Sequence, residues 1–309
     1  MSVKVTIDIF SGRPNPELVL TAKEAKELFK TLTPTGTLRK AGAKTLAEPA
    51  HLGLRGIKID QLKSVSKEMP ESFFVAHETM YSGGKAAALK ADDTMEKLHK
   101  FIVSKASSLT NAGKVREFLK LYKESLVPAA ETRAKTAVPI GPIVVGPILP
   151  LLTCTCGPIY EPDWWNLNPT IKGNNNCYNY ACNQRTDTFA QPGKATGNQY
   201  TSLSGCSVAV GQKSAKQGAV SDALVDTPLA NNQCPAKGHL VALVIWPGVD
   251  FHWYRKGVNT MWSHKPGSTA VTNLDNSGVV ISDPRTANRG GYTQFCTFMN
   301  VLPGHINIK

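Results

Sequence analysis

The sequence predicts an α+β protein built in two parts. Strand-type alternation opens the chain, helical and strand patterns are then mixed along it, and all seven cysteines fall in the second half. A length of 309 residues exceeds the usual single core. Hydrophobic residues make up 41% of the chain, enough apolar material for real cores, so disorder is not the expected state.

Val3, Val5, Ile7 and Ile9 alternate with polar residues, as a half-buried strand requires, and Ser11-Gly12-Arg13-Pro14-Asn15-Pro16 stops it. Thr21 is placed to cap a helix reaching about Leu32. Leu52 to Ile59 and Ser72 to Thr79 read as strands, and Asp92 to Ser108 and Lys114 to Ser125 as amphipathic helices. Residues 1–126 are thus expected to form a small α+β domain in which His51, His77 and His99 stand apart from one another. Residues 127–153 read as an apolar, proline-rich linker. Its stretch Ala137 to Leu152 is uncharged but carries four prolines and two glycines, which argues against a transmembrane helix and for an extended strap. Such a strap would lie along one domain or occupy a cleft.

Residues 154–309 form the expected second domain. Asp163-Trp164-Trp165 reads as core or rim, Asn176 to Asn183 as a short helix headed by Cys177, and 184–204 as loop. A helical patch is expected over 206–218. Leu240 to Trp246, Asp250 to Lys256 and Thr260 to Lys265 read as a strand meander, with Val279 to Ser282 a further strand before the turn at Asp283-Pro284.

The net charge of +12 is spread along the chain, 23 Lys/Arg against 15 Asp/Glu in residues 1–150 and 12 against 8 thereafter. No basic run is interleaved with aromatics, so no dedicated nucleic-acid groove is expected. A basic surface of this kind favours loose association with anionic polymers such as acidic polysaccharides. Setting Cys177 aside leaves six cysteines, enough for three disulfides in an oxidising compartment, with Cys206 and Cys234 the first expected pair. Cys154-Thr155-Cys156 lacks metal-ligand spacing and a partner pair, so neither a metal nor a cofactor is expected. The N-terminus lacks the apolar core of a signal peptide, so an exported protein would need another route or a leader outside this sequence.

The chemistry-bearing stretch is Asn174-Asn175-Asn176-Cys177-Tyr178-Asn179-Tyr180-Ala181-Cys182. A thiol at a helix start is favoured as thiolate, more so beside an imidazolium. His239, His252 and His264 lie within 26 residues on the expected meander. A turn at 257–259 would set His252 directly opposite His264, and a turn at 247–250 would set Ile245 opposite His252, leaving His239 about 20 Å away along the sheet. His252 is therefore the expected base, His264 its orienting partner and His239 the alternative base. Asn175 and Asn176 are expected oxyanion donors with the Cys177 amide, and Trp164, Trp165, Trp253 and Trp262 could line a substrate groove or simply be core.

A Cys-headed helix followed by histidines on strands resembles the papain-like superfold, in particular the NlpC-type and CHAP-type cell-wall hydrolases. Asn176-Cys177-Tyr178-Asn179-Tyr180-Ala181 is similar to the CHAP cysteine segment, and Gly238-His239-Leu240-Val241-Ala242-Leu243-Val244 to its histidine strand. The resemblance covers roughly the last 150 residues. It implies a papain-like fold and a cysteine peptidase or amidase acting on peptide or peptidoglycan-like amides. An acyltransferase on the same triad remains open. The whole chain also resembles a group of uncharacterised bacterial proteins and bivalve shell-matrix proteins. That likeness implies an extracellular setting and leaves open a non-catalytic matrix-binding protein with a disulfide-stabilised C-terminal domain.

Overall fold

The computed structural model describes residues 2–32, 34, 39–40, 49–76, 79–83, 85–89, 94–113, 115–126 and 157–309. The expected linker, its strap, His77 and the Cys154-Thr155-Cys156 motif lie outside the described residues. The fold is α+β, with two antiparallel sheets.

The first sheet comes from residues before 127. Its strands are β1 (Val3–Asp8), β2 (Glu17–Leu20), β3 (Arg39–Lys40), β4 (Gly56–Gln61), β5 (Ser72–Ala76), β6 (Thr79–Ser82) and β7 (Lys85–Ala88), in the order β2-β1-β4-β5-β6-β7-β3. The alternation read from the sequence buries Val3, Val5 and Ile7 in one core. Against this sheet pack α1 (Ala22–Thr31), α2 (Thr94–Ser104) and α3 (Val115–Leu126). Thr21 caps α1 in a full capping box with Glu24, and Ala25, Leu28 and Phe29 form its buried stripe. The strand expected from Leu52 starts only at Gly56. Leu52 instead leaves this sheet for a core of the second one, where its main-chain N–H and C=O are both bonded by the Asn276 side chain at 2.9 and 3.0 Å.

Residues after 156 supply α4 (Pro162–Asn166), α5 (Pro169–Asn174), α6 (Cys177–Ala181), α7 (Ala215–Ser221) and strands β8 (Val225–Asp226), β9 (His239–Trp246), β10 (Asp250–Lys256), β11 (Trp262–His264) and β12 (Gln294–Val301). The sheet order is β11-β10-β9-β12-β8. On one face Val241, Leu243, Ile245, Phe251 and Trp253 pack with Cys177, Tyr178 and Ala181 of α6. On the other, Leu240, Ala242, Val244, Tyr254 and Trp262 form a separate core. Because both faces are covered, β9 reads as a nearly continuous apolar run, whereas β10 buries Asp250, His252, Arg255 and Lys256 as well.

Several expectations change here. The helical patch over 206–218 shrinks to α7, which begins at the Ser214–Gln217 capping box. Val279 to Ser282 makes only an isolated bridge, Leu274 to Val280. The pairing expected between Cys206 and Cys234 is corrected: Cys206 is bonded to Cys296 across 90 residues, and Cys234 is disulfide-bonded elsewhere. Cys296 lies at the β-bulge between Phe295 and Thr297, where the strand bends toward the 206 loop. Closing so long a loop restricts the unfolded chain, so reducing this bond or replacing Cys296 by Ser should cost about 2–4 kcal/mol of stability, read by urea unfolding with and without reductant. No helix among the described residues is long and apolar enough to cross a membrane.

Candidate functional site

The site lies where the loop after β1 meets α6 and the start of β10. Asn176 caps α6: its Oδ1 accepts from the Tyr178 and Asn179 amides at 3.0 and 3.1 Å, and Asn179 Oδ1 returns a bond to the Asn176 amide. That reciprocal cap fixes Cys177 at the first helical position. The Cys177 thiol is fully buried, with the Trp253 main-chain N–H and the Ser11 side chain as polar neighbours. Burial pushes its pKa up, well above that of a free thiol. No hydrogen bond joins it to an imidazole among the described residues.

His252 and His264 are brought together, though not in the expected register. The loop between β10 and β11 is longer than a three-residue turn, so His264 faces Tyr254 and lies diagonal to His252. Their rings still meet, with His252 Nε2 2.8 Å from His264 Nδ1. On the other side Val244, not Ile245, opposes His252, a one-residue slip that follows from the Pro247-Gly248-Val249 turn with Gly248 at φ +74°. His239 remains distant: it points to the opposite end of α6, its Nε2 2.7 Å from the Ala181 carbonyl, beside a cavity of about 210 Å³ also lined by Cys182.

The Leu274 carbonyl sets the tautomers of the His264 and His252 rings. The Leu274 carbonyl can only accept, so His264 Nε2 carries the proton over their 2.9 Å contact. In a neutral ring Nδ1 is then bare and accepts from His252 Nε2–H. His252 Nδ1 is bare in turn and accepts from the Ser11 hydroxyl at 2.5 Å. The Ser11 hydroxyl thus occupies the His252 imidazole and has the Cys177 thiol as a neighbour. Burial lowers the pKa of all three histidines, His239 and His264 to about 4, and the neighbouring His264 adds to the effect at His252.

The loop that brings Ser11 here is held from both sides. Asp250, fully buried, accepts from the Ser11, Gly12 and Arg13 amides at 2.5, 3.1 and 3.0 Å and from the Tyr292 hydroxyl at 2.6 Å. Burial pushes its carboxyl pKa up, against these donors, which favour the charged form. The Gly12 carbonyl accepts from Asn176 Nδ2 at 2.7 Å and Gln191 Nε2 at 2.8 Å. A Cβ at Gly12 would lie 2.5 Å from the Phe251 ring and carbonyl, so only glycine fits there. Behind the loop, Arg55 makes a two-pronged bond to Asp8 and a further bond of 2.7 Å to the Phe10 carbonyl. Asn15 Oδ1 accepts from the Ile9 and Phe10 amides.

Of the expected oxyanion donors, Asn176 reaches the Gly12 carbonyl. Asn175 is used elsewhere: its amide is taken by the Ile171 carbonyl and by Asp187. The four tryptophans form no common groove. Trp165, Trp253 and Trp262 are buried in three different cores, and Trp164 is half-exposed under the Arg185 guanidinium. His51 and His99 are each bonded locally, to the Leu52 carbonyl and the Tyr122 hydroxyl. Ser11, Gly12, Gln191, Asp250 and Tyr292 were not legible as site residues. For Ser11 and Gly12 the sequence signal is the turn Ser11-Gly12-Arg13-Pro14-Asn15-Pro16, which by itself reads as a strand stop.

These features define a class: an α+β protein whose Cys/His cluster is closed by a segment from the sheet at the other end of its own chain. The chain belongs to the same family as Insoluble matrix shell protein 1 of Ruditapes philippinarum, with 43% identity over 150 residues, covering 48% of this chain and 93% of that protein. No family model matches the chain, and no solved structure matches it.

Proposed function

We propose that the protein is a non-catalytic, exported matrix-binding protein, in which the disulfide-stabilised domain of residues 154–309 serves as scaffold and the basic surface holds an acidic polymer. The observation that carries this reading is the sealed Cys177, a buried neutral thiol with a hydroxyl of its own chain where a working dyad needs an imidazole. The net charge of +12, the disulfides and the name of the shell-matrix relative support it. The full chain should be retained on an acidic polysaccharide column at low ionic strength and elute as salt approaches ~1 M, where screening extends to only ~3 Å. Cys177→Ala should elute at the same salt. A chain that passes through at low ionic strength removes this reading.

One observation favours a second reading, a cysteine peptidase or amidase, or an acyltransferase, acting on peptide or peptidoglycan-like amides. Two side-chain amides converge on one peptide carbonyl next to the Cys177 thiol, an arrangement that would also stabilise an oxyanion. Turnover of such an amide that disappears in Cys177→Ala would establish it.

A further inference from the structure

We propose that the cleft beside Cys177 is a peptide-binding socket whose resident occupant is the chain's own Ser11-Gly12-Arg13 segment, and that withdrawal of this segment leaves Cys177 a reactive thiol facing His252. This goes beyond the matrix reading and does not depend on it.

The socket reads a backbone. Asp250 takes three successive main-chain N–H groups, and Asn176 and Gln191 take the carbonyl between them. Asp250, Asn176 and Gln191 are all nine-tenths or more buried. Side-chain selection is supplied at two positions. Phe251 admits only glycine in the middle, and the following arginine reaches the Val249 carbonyl at 2.9 Å while stacking over Phe10 at 4.5 Å. The ligand class is therefore a bent peptide of the form small-Gly-Arg, its three successive amides curved round one carboxylate.

The Ser11 hydroxyl occupies His252 Nδ1 at 2.5 Å and neighbours the Cys177 thiol. While it is there, His252 Nδ1 is occupied by a hydroxyl far too weak an acid to give up its proton. Once it leaves, the thiol proton can pass to Nδ1, leaving a thiolate and an imidazolium, with no other bond made or broken. His264 holds the ring in the tautomer this transfer needs.

The test is alkylation of the full chain by iodoacetamide at pH 7, with Cys177 and Cys182 quantified separately by peptide mass spectrometry. Both thiols are free and buried, at opposite ends of α6, so Cys182 reports any general opening of the domain. Gly12→Ala should raise the Cys177 rate at least tenfold and leave Cys182 unchanged. Gln191→Ala, which introduces no clash, should raise it severalfold with the same selectivity. The peptide Ser-Gly-Arg-Pro-Asn-Pro at millimolar concentration should restore protection of Cys177 in Gly12→Ala. Equal acceleration of both thiols, no acceleration in either variant, or selective acceleration that the peptide fails to reverse would each overturn the proposal.

Discussion

Lowering the pH from 7 to 4 should unfold this protein steeply, because three histidines are buried in the neutral form. Burial brings His239 and His264 to about 4 in the folded state, against about 6.5 in an unfolded chain, and His252 shifts the same way. Between those values the unfolded state binds more protons than the folded one, so stability falls as pH falls. The contribution is fully present above about pH 6.5 and is lost on the way to pH 4. Each of these two shifts corresponds to roughly 3 kcal/mol, so His239 and His264 together act on the scale of the whole stability of an ordinary domain. Asp222 and Asp250, whose carboxyls burial pushes up, take up protons in the folded state and oppose the trend. Urea unfolding at pH 7, 6 and 5 measures the net effect. Midpoints that do not move would contradict the neutral tautomer chain from Ser11 to Leu274.

Asp250→Ala should be the most damaging single substitution where the β1–β2 loop meets the second sheet. It strands three main-chain N–H groups and one phenol hydroxyl in a buried place, each costing ~1–3 kcal/mol if nothing replaces the carboxylate. The expected loss is about 5 kcal/mol or more, enough to abolish a cooperative transition. Asp250→Asn keeps the shape but turns an N–H₂ toward other donors, so it should recover little. Tyr292→Phe removes one neutral donor from a carboxylate that keeps its other partners, and should cost ~1 kcal/mol. Thermal unfolding of the three variants gives the ranking. Asp250→Ala within ~1 kcal/mol of the parent would mean that the loop is not anchored there.

How much the sequence disclosed depended on whether a feature is local. Strand β1, the Thr21 cap and the Asn176 cap obey short-range rules and stand where the residues put them. The meander was legible too, but its registers were not, because one residue more or less in a turn moves every pair. Strand β12 went unread although it is an interior strand of its sheet, since the bulge at Cys296 breaks the alternation that marks a strand. In the site, Cys177, His252 and His264 announce themselves by chemistry. Ser11, Gly12, Gln191 and Asp250 could not, because what matters there is contact between loops far apart in the chain.

That separation imposes an order on synthesis. The amides of Ser11, Gly12 and Arg13 wait for a carboxylate 237 to 239 residues downstream. At ~5–20 residues per second on the ribosome, the delay is on the order of 10–50 s. During that interval the first sheet can assemble, but the amides of its β1–β2 loop have no acceptor. Contacts of such range also slow folding, since the closure entropy must be met before any bond rewards it. The nascent N-terminal half is therefore the point in this protein's life at which a chaperone, or a wrong partner, would find it open.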